Sequence, residues 1–536
     1  MKRISKSWAQ AIALLWMGTT AVIVLAKHLA VLPVQTSLKY NEGWNAYQAA
    51  HAFGAEPLYP SLAAAISNNY PPISFYIVGG LGKVLGDNII AGRIVALFAF
   101  IAIGAGIGWL VAKRFSQPML GLFMSLFFLA TFGYYFSDYI AINDPQMLAH
   151  AVQMTALAWL LYGVRPGYAD RRSPHPQPFS QRRRELDSKS FSPSGEGFRV
   201  RAATYESGMH SLYDCQNQRE ASVGPAVGVA LLIAFSLMIK HNLLALPAAI
   251  ALWLFVHQRR ACWLFVATVA GAIAISFSLF SLLYGPNFLL GLLTAPRTYW
   301  LTGGLLNMQQ WLAPQGWLIG LGAWVVISQW REKTVQLLGL FVGCSVCLGM
   351  AIAGGAGISH NAVFDVTIGL TLLVGWGLGR LGNSLAGRQL RELSQPQISA
   401  AIALSLVLFL TLPTQFQTLL TVVPDTKSLA ARSAEDVAII ASAEGEVICE
   451  ELAMCYFAGQ PAGVDLFNFG QKLQLGLVSE AAWIEQIERQ TFALLYLRSP
   501  SVRLPASSYR AIATYYEPFR ESTFRDRDYI FWQRKQ

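Results

Sequence analysis

Long apolar segments recur along most of the chain, and they constrain its fold more than any other feature. They lie near residues 9–31, 90–112, 117–137, 146–164, 223–239, 242–257, 262–284, 313–330, 335–353, 363–379 and 398–420. A helix needs about 20 apolar residues to cross a hydrocarbon core about 30 Å thick, and most of these segments approach that length. The chain is 54% hydrophobic and only 13% charged, whereas an ordinary soluble domain is about 25% charged. The sequence therefore predicts an α-helical polytopic membrane protein with about eleven transmembrane helices.

The basic residues lie mainly in short clusters between the apolar segments, and their placement predicts the orientation of the chain. Lysine and arginine are enriched in cytoplasmic loops of membrane proteins, and the clusters here fall in alternate loops. They are Lys113-Arg114, the block 165–222, Arg259-Arg260, Arg331 with Lys333, and Arg380 with Arg388 and Arg391. The first apolar segment has no clear cleavage site, so we expect a retained span with a cytoplasmic N-terminus. The formal charge of +10 follows from this topology and does not predict nucleic-acid binding.

Composition divides the chain into four parts. Residues 1–164 and 223–420 form two membrane modules, and the first of them contains a long outer loop, residues 32–89. Residues 165–222 are rich in Ser, Pro and Arg without apolar periodicity, which predicts a disordered cytoplasmic insertion. Residues 421–536 are amphipathic and long enough for one small extracytoplasmic α/β domain. We therefore expect a multi-pass protein of the plasma membrane, or of the inner membrane of a bacterium.

Short stretches of the outer regions carry recognisable secondary-structure patterns. In the first outer loop, "PPISFYIVGGLGKVLG" is apolar but too short for a span, which predicts a helix lying at the outer membrane interface. In the tail, "EVICEE" and "FALLYL" predict strands and "SEAAWIEQIERQ" predicts a helix. Alternating residues near "YRAIATYY" and "DYIFWQ" predict further strands of the same α/β domain.

The six cysteines do not predict a disulfide framework in a chain of this length. Cys262, Cys344 and Cys347 lie in apolar segments, and we interpret them as packing residues and not as a redox motif. Cys449 and Cys455 belong to the tail and could form a bridge if it faces an oxidising compartment. Two free thiols are the simpler interpretation.

Ionisable residues at span ends on the outer side are candidate functional groups, because such residues are energetically unfavourable near the membrane interior. Glu42 is the only carboxylate in the aromatic stretch "YNEGWNAYQAAHAFG". Asp144 precedes Pro145 at a predicted helix start, where capping alone can explain an aspartate. Lys240 lies in a tight turn, where a lysine can also extend to the membrane surface. Further candidates near a glycine-rich turn are His360, Asn361 and Asp365.

Four motifs lie on the predicted outer side in a fixed order. They are "NEGWNAY" in the first outer loop, "YPPISFYIVGGLGKVLGDNIIAGRIVALF" after it, "AINDPQMLAHAV" at the second outer turn and "SLMIKHNLLALP" at the third. Together they resemble the membrane-embedded glycosyltransferases of the C superfamily, which include protein O-mannosyltransferases, lipid A aminoarabinose transferases and bacterial relatives. The resemblance covers about residues 8–260, with weaker agreement to 420. The superfamily often has Asp-Glu in the first loop, whereas this chain has Asn41-Glu42.

The resemblance implies transfer of a sugar from a polyprenyl-phosphate-linked donor, drawn from the membrane lipids, to a glycan, lipid or protein acceptor on the outer face. Phosphate leaves as a stable anion, so the site needs a base for the acceptor hydroxyl and positive charge near the phosphate. The resemblance implies Glu42 or Asp144 as the base, and either of them as a ligand of a divalent cation, Mg²⁺ or Mn²⁺. The residues expected to bind the substrate are Lys240, Tyr70, Pro71, Pro72, Arg93, His360, Asn361 and Asp365. An outer C-terminal domain can help to recognise the acceptor, although surface charge suffices to explain Glu450, Glu451 and Asp465.

A multispan transporter or flippase for a lipid-linked or anionic substrate is the alternative function. In such a protein, Asp and Lys residues at membrane depth bind a coupling ion or an anionic substrate. Transporters tend to contain internal repeats, and residues 1–220 share no motif with residues 221–420. A long outer loop and an outer soluble domain also suit an enzyme better, so the sequence favours the glycosyltransferase.

Overall fold

A computed structural model describes residues 2–163, 223–294, 297–383, 393–461 and 463–536, so the predicted insertion at 165–222 lies outside the described residues. The helices before it are α1 (Lys2–Val31), α2 (Asn41–His51), α3 (Ile73–Leu85), α4 (Asn88–Phe115), α5 (Pro118–Tyr135) and α6 (Gln146–Gly163). The next ten are α7 (Val223–Leu237), α8 (Ala245–His257), α9 (Arg259–Tyr284), α10 (Asn287–Leu293), α11 (Leu301–Leu312), α12 (Gly316–Gln329), α13 (Lys333–Ile352), α14 (Phe364–Asn383), α15 (Gln395–Phe409) and α16 (Leu412–Ala441). The C-terminal part contains α17 (Leu452–Phe457), α18 (Leu466–Gln474), α19 (Glu480–Glu488), α20 (Ala506–Tyr515), and strands β1 (Val447–Cys449), β2 (Leu494–Arg498), β3 (Tyr516–Phe524) and β4 (Arg527–Arg534). Three short 3-10 helices lie at Ser137–Tyr139, Ala313–Gln315 and His360–Val363.

The predicted polytopic helical fold is confirmed, and every predicted apolar segment coincides with a helix. By length and composition, seven helices in the described residues can cross a membrane, or eight if the bent pair α15 and α16 counts as one span. Helices α7 and α8 are apolar but shorter than a span. The number of eleven spans therefore stays a prediction.

Helix α14 lies at the centre of the membrane part. The span that contains it, His360–Gly382, has 94% of its most apolar window buried, as expected for a helix that is apolar on all sides. Trp376 of α14 packs edge-on against Phe115, with ring centroids 5.7 Å apart. Helix α9, by contrast, has none of its apolar window buried, which places it at the rim of the bundle.

Charged residues gather at both ends of the helix bundle. At one end, Glu332 accepts hydrogen bonds from Arg380, at the end of α14, over 2.6 Å and from Arg114, at the end of α4, over 3.3 Å. At the other end, beyond the last turn of α5, Lys39 and Asp138 form an ion pair. Helices α5 and α14 therefore connect the predicted cytoplasmic clusters to the region that holds the candidate site.

Helices of the first outer loop support the C-terminal domain. Helix α2 packs so closely on α17 that a Cβ atom at Gly43 would lie 2.2 Å from the backbone nitrogen of Ala453. The hydroxyl of Tyr47 donates to the backbone oxygen of Gln460 over 2.7 Å. The predicted short helix of this loop is present as α3, and its location at the membrane interface stays a prediction.

The C-terminal domain contains a four-stranded sheet with strand order β1-β2-β4-β3. Strands β1 and β2 pair in parallel, whereas β2 with β4 and β4 with β3 pair antiparallel. Tyr496 of β2 stacks on Tyr529 of β4 with ring centroids 4.8 Å apart, and both are buried. The predicted strands in "EVICEE", "FALLYL" and "DYIFWQ" and the predicted helix in "SEAAWIEQIERQ" are confirmed by β1, β2, β4 and α19.

Two local predictions in the tail are wrong. The stretch "YRAIATYY" forms most of α20, and β3 begins only at Tyr516. The buried residues Ser508 and Ile512 are four apart and lie on one helix face, as residues at this spacing do in a helix.

The interpretation of Cys449 and Cys455 as two free thiols is also wrong, because they form a disulfide. Helix α17 turns back after β1 and brings their Cα atoms to 5.8 Å, within bridging range.

Candidate active site

A cavity of about 570 Å³ lies where the helix ends opposite the Glu332 cluster meet the C-terminal domain. Its wall is formed by the first outer loop, the turns before α6, after α7 and before α14, the segment after α10, and the loops around α18. Its charged and imidazole side chains are Lys39, Asp144, His241, Arg297, Asp465 and Arg503. This volume suits a small-molecule site, since such sites typically measure about 300 to 1,000 Å³.

Asp144 places a carboxylate in the cavity wall. Its Oδ1 accepts a hydrogen bond from the backbone N–H of Gln146 over 2.8 Å, so it does cap α6. The same oxygen accepts from Lys240 Nζ over 2.9 Å, and Oδ2 accepts from Asn41 Nδ2 over 2.6 Å. Asp144 is 8% exposed and lines the cavity. It is therefore a capping residue that also presents its carboxylate to the cavity.

Lys240 is a buried cation directly behind the cavity wall. It lies in the turn between α7 and α8 and is 1% exposed, so its side chain does not extend to a membrane surface. Its Nζ lies 4.9 Å from the ring centroid of Tyr70. Burial alone would lower the pKa of Lys240, but Asp144 and Tyr70 raise it above the ordinary value for lysine. Lys240 therefore stays protonated across the neutral range.

Glu42, at the start of α2, forms a fully buried ion pair with Arg93 of α4. Nε and Nη2 of Arg93 donate to its two carboxylate oxygens over 2.7 and 2.8 Å, the bidentate geometry that guanidinium groups favour. The backbone N–H groups of Leu38 and Asn143 donate to the same carboxylate over 2.7 and 3.1 Å. The other hydrogen bonds of Arg93 go to the backbone oxygens of Leu32, Val34 and Thr36. Neither Glu42 nor Arg93 is part of the cavity wall.

This ion pair holds the segment that presents Asp144. Asn143 is fixed by its N–H bond to Glu42, and its backbone oxygen accepts from Asn45 Nδ2 over 2.8 Å. Asn41, one residue before Glu42, bonds to the carboxylate of Asp144. The start of α2 thus supports the turn before α6 at several points.

The other predicted site residues divide into two groups. Tyr70 and Asn361 line the cavity, and Asn361 exchanges hydrogen bonds of 3.0 and 2.9 Å with Gln146. Asp365 is not part of the cavity wall, and its Oδ1 lies 3.2 Å from Nδ1 of His150. His360 also lies outside the cavity wall and packs against the rings of Phe136 and Trp311. Pro71 and Pro72, before α3, are buried and do not line the cavity either.

The C-terminal domain supplies a cation, Arg503, that the sequence did not single out. Arg503 lies over the ring of Tyr40, 3.4 Å from its centroid, and its Nη1 donates to the backbone oxygen of Glu450 over 3.0 Å. The hydroxyl of Tyr40 donates to Asp465 Oδ1 over 2.8 Å. Burial lowers the pKa of Arg503, but Tyr40 and neighbouring carboxylates raise it above its ordinary value. Burial raises the pKa of Tyr40 well above the ordinary value, so its phenol keeps the proton.

Three acidic residues of the tail that surface charge could have explained are in fact buried. Glu450, Glu451 and Asp465 are 3%, 4% and 0% exposed. Burial raises the pKa of both Glu450 and Glu451. Asp465 caps α18 and binds Tyr40, and it contributes to the cavity wall.

Arg297 adds a further cation to the wall from the segment after α10. Its Nη1 donates to Asn468 Oδ1 over 2.6 Å, and its guanidinium carbon lies 5.3 Å from the ring centroid of Phe467. Burial lowers the pKa of Arg297, while Tyr70, Asp465 and Tyr40 act in the opposite direction. The sequence indicated a role for Arg297 at the site only through its place in a segment predicted on the outer side.

The two carboxylates proposed as metal ligands do not fit a divalent cation. Mg²⁺ and related ions bind several oxygen ligands with free lone pairs. Both oxygens of Glu42 accept from Arg93, and Asp144 already accepts from a lysine ammonium. No group of three or more His, Cys, Asp or Glu side chains in the described residues is arranged to hold a metal ion. The predicted metal role is therefore not supported by the donor set.

Comparisons with known proteins show the fold of this chain. No protein-family model matches the sequence, and no curated protein matches it. The crystal structure of ArnT from Cupriavidus metallidurans bound to undecaprenyl phosphate aligns with 96% of this chain and 97% of that chain, at 13% identity and a TM-score of 0.56. The apo structure of the same protein gives a TM-score of 0.55, and the apo oligosaccharyltransferase of Archaeoglobus fulgidus gives 0.48 at 9% identity, over 97% of this chain and 74% of that chain. The chain therefore has the fold of ArnT.

Proposed function

We propose that the protein is an integral membrane glycosyltransferase. It moves a sugar from a polyprenyl-phosphate-linked donor to a hydroxyl group of a glycan, lipid or protein acceptor. The observation that carries the proposal is the cavity whose wall contains the carboxylates of Asp144 and Asp465 and the cations Lys39, Arg297 and Arg503, with Lys240 buried behind Asp144. A polyprenyl-phosphate donor is consistent with the undecaprenyl phosphate bound to ArnT, which has the same fold.

Sugar transfer has two requirements: a base must take the proton of the acceptor hydroxyl, and positive charge must compensate the leaving phosphate. The residues of the cavity can meet both. Asp144 takes the proton of the acceptor hydroxyl as its oxygen forms a bond to the anomeric carbon. The bond between that carbon and the phosphate oxygen breaks, and the phosphate leaves as an anion that needs no proton. The cationic side chains of Arg297, Arg503 and Lys39 compensate the negative charge of the phosphate. Lys240 donates a hydrogen bond to Asp144 Oδ1 and so holds the carboxylate in place at the cavity.

The cavity belongs on the extracytoplasmic side in this proposal. The basic residues Arg114 and Arg380 lie at the opposite ends of the helices, and such residues favour the cytoplasmic side. The disulfide between Cys449 and Cys455 supports the same orientation, because disulfides persist in oxidising compartments. The donor lipid would then enter the cavity from the outer leaflet.

Sugar transfer in membranes tests the proposal directly. Membranes that contain the wild type or Asp144→Asn are supplied with radiolabelled polyprenyl-phosphate sugars, and the labelled glycosidic product is measured. We expect Asp144→Asn to lower the rate by about 10²- to 10⁴-fold, the usual contribution of a general base. Asp87→Asn is the matched control, because Asp87 is also 8% exposed and also caps a helix, α4, but lies outside the cavity wall.

The result also separates an enzyme from a carrier. A transporter or flippase would move the labelled lipid across the membrane without forming a new glycosidic bond. Equal product formation by the wild type and Asp144→Asn would overturn the assignment of Asp144. The glycosyltransferase function itself would be overturned if wild-type membranes formed no product from any hexosyl or pentosyl donor but moved the labelled lipid across the membrane.

A further inference from the structure

A second cavity, of about 290 Å³, lies between α1, the turn after α5 and α16. We call it the α1–α16 pocket, and its polar lining residues are Lys27, His28, Ser37, Ser137, Asp138, Thr426 and Arg525. Asp138 lines this pocket, whereas its ion-pair partner Lys39 lines the candidate active site. The Lys39–Asp138 pair therefore forms a wall between two distinct cavities.

The last turn of α1 brings two buried basic side chains into the pocket. Lys27 is 7% exposed, and its Nζ bonds to the hydroxyl of Ser137. Within the described ranges no carboxylate forms an ion pair with Lys27, since Asp138 is paired with Lys39. His28 is 3% exposed, and its Nδ1 is a buried atom without a hydrogen-bond partner among the same residues. A cation at the end of a span is energetically unfavourable unless it is paired, so Lys27 points to an anionic ligand, and Nδ1 of His28 offers a further polar atom to such a ligand.

The C-terminal domain adds a cation from the other side of the pocket. Arg525 lies in the tight turn between β3 and β4, where its φ angle of 52° is left-handed, and it lines the pocket. The pocket lining carries two cations, Lys27 and Arg525, and one carboxylate, Asp138, which forms its ion pair with Lys39 outside the pocket. Lysine and arginine are the residues that bind phosphate oxygens with charge-assisted hydrogen bonds. The charge balance of the pocket therefore matches a phosphate group.

The remaining walls of the pocket are apolar and belong to helices that reach the membrane. Val31 of α1 and Val422 and Leu429 of α16 line it. At about 290 Å³, the pocket is smaller than most sites for whole drug-sized ligands and suits a headgroup whose chains stay outside.

We infer that the α1–α16 pocket binds the phosphate of an anionic lipid headgroup, separately from the donor site. Basic pockets between transmembrane helices are known to bind lipid headgroups through the same chemistry. The inference goes beyond the proposed transfer reaction and does not depend on it. Binding can be measured without any sugar donor.

Lipid binding to the purified full-length protein tests the inference. The delipidated protein in detergent is titrated with phosphatidylglycerol, and the bound fraction is read by native mass spectrometry. We expect the double variant Lys27→Met and Arg525→Gln to bind at least about tenfold more weakly, since each lost contact to a charged group alone can account for a factor of ten. Methionine keeps the length of the lysine side chain and removes a buried charge, so the apparent Tm without lipid should not fall.

A matched control and a second probe decide between the possible sources of phosphate. Lys427→Met and Arg432→Gln remove the same charges from exposed positions of α16 that do not line the pocket, and binding should stay at the wild-type value. Inorganic phosphate should bind far more weakly than the lipid. Three outcomes would each overturn the inference. The Lys27 and Arg525 variant could bind the lipid with wild-type affinity, the control variant could lose as much affinity, or inorganic phosphate could bind as tightly as the lipid.

Discussion

At the scale of single residues, the two carboxylates Glu42 and Asp144 differ in what surrounds them. Glu42 is fully enclosed with Arg93, whereas Asp144 reaches the cavity. Removing one partner of a buried ion pair leaves an uncompensated charge, which destabilises a protein by about 3 to 5 kcal/mol. We therefore expect Glu42→Gln to lower the apparent Tm of the purified protein by several degrees. Asp144→Asn keeps a capping residue but should lower the Tm as well, because Lys240 would stay buried without its carboxylate partner.

Thermal unfolding and transfer rate should be measured on the same preparations. Asp87→Asn, the capping control, should resemble the wild type in both measurements. If Glu42→Gln abolished transfer at an unchanged Tm, Glu42 would act on the substrate as the sequence first suggested. A lower Tm with transfer that recovers at low temperature would assign Glu42 a positioning role.

Residues in short turns between spans could be found from the sequence, because topology alone places such turns at one end of the bundle. Asp144, Lys240 and Asn361 were identified in this way and do come together. Arg93 was expected to bind the substrate, although an arginine within a span also indicates a buried carboxylate partner. Arg503 could not be found, because its place at the cavity depends on how a separate domain docks.

At the scale of elements, the contact between α2 and α17 couples the first outer loop to the C-terminal domain. Gly43→Ala adds a Cβ that would meet the backbone nitrogen of Ala453 at 2.2 Å, and backbone atoms cannot move aside cheaply. Overpacking of this kind destabilises a contact by about 1 to 3 kcal/mol. We expect faster trypsin cleavage in α16, at Lys427 and Arg432, because the domain above them is loosened.

Gly80→Ala is the matched control for this prediction. Gly80 also lies in a helix of the first outer loop, α3, but the nearest atom to its Cβ would be the ring of Phe53 at 3.7 Å, an ordinary contact. Alanine favours a helix by about 1 kcal/mol over glycine, so cleavage should be as slow as in the wild type or slower. Equal cleavage rates in the two variants would show that the α2–α17 contact does not hold the domain.

Helices and strands differed in how well the sequence predicted them. The apolar helices were located correctly, because length and hydrophobicity together determine a membrane helix. In the tail, the short strand β1 was found from its apolar run, but the helix α20 was taken for a strand because short amphipathic stretches fit both periods. The docking of α2 on α17 has no local signal, since it joins residues about 400 positions apart.

At the scale of the whole molecule, charged residues gather at both ends of the helix bundle, but only one end contains the two cavities. The Glu332 cluster with its arginines lies at one end, and the cavity, the α1–α16 pocket and the C-terminal domain lie at the other. A site at the end of a bundle can take a lipid-linked substrate from one leaflet while its sugar reaches a soluble domain. The location of both cavities beside the C-terminal domain gives that domain a direct part in forming them, through Arg503 at one and Arg525 at the other.

The orientation of these two ends can be tested with single cysteines in cells. Glu521 lies exposed on β3, and Arg260 lies exposed at the start of α9, near the opposite end. The background would carry serine at the other thiol positions, Cys215, Cys262, Cys344 and Cys347, while the disulfide blocks Cys449 and Cys455. We expect a membrane-impermeant maleimide to label Glu521→Cys in intact cells and Arg260→Cys only after permeabilisation, because basic loops favour the cytoplasm. Labelling in the reverse order, with a cytoplasmic marker protein left unlabelled, would place both cavities on the cytoplasmic side and require a donor from the inner leaflet.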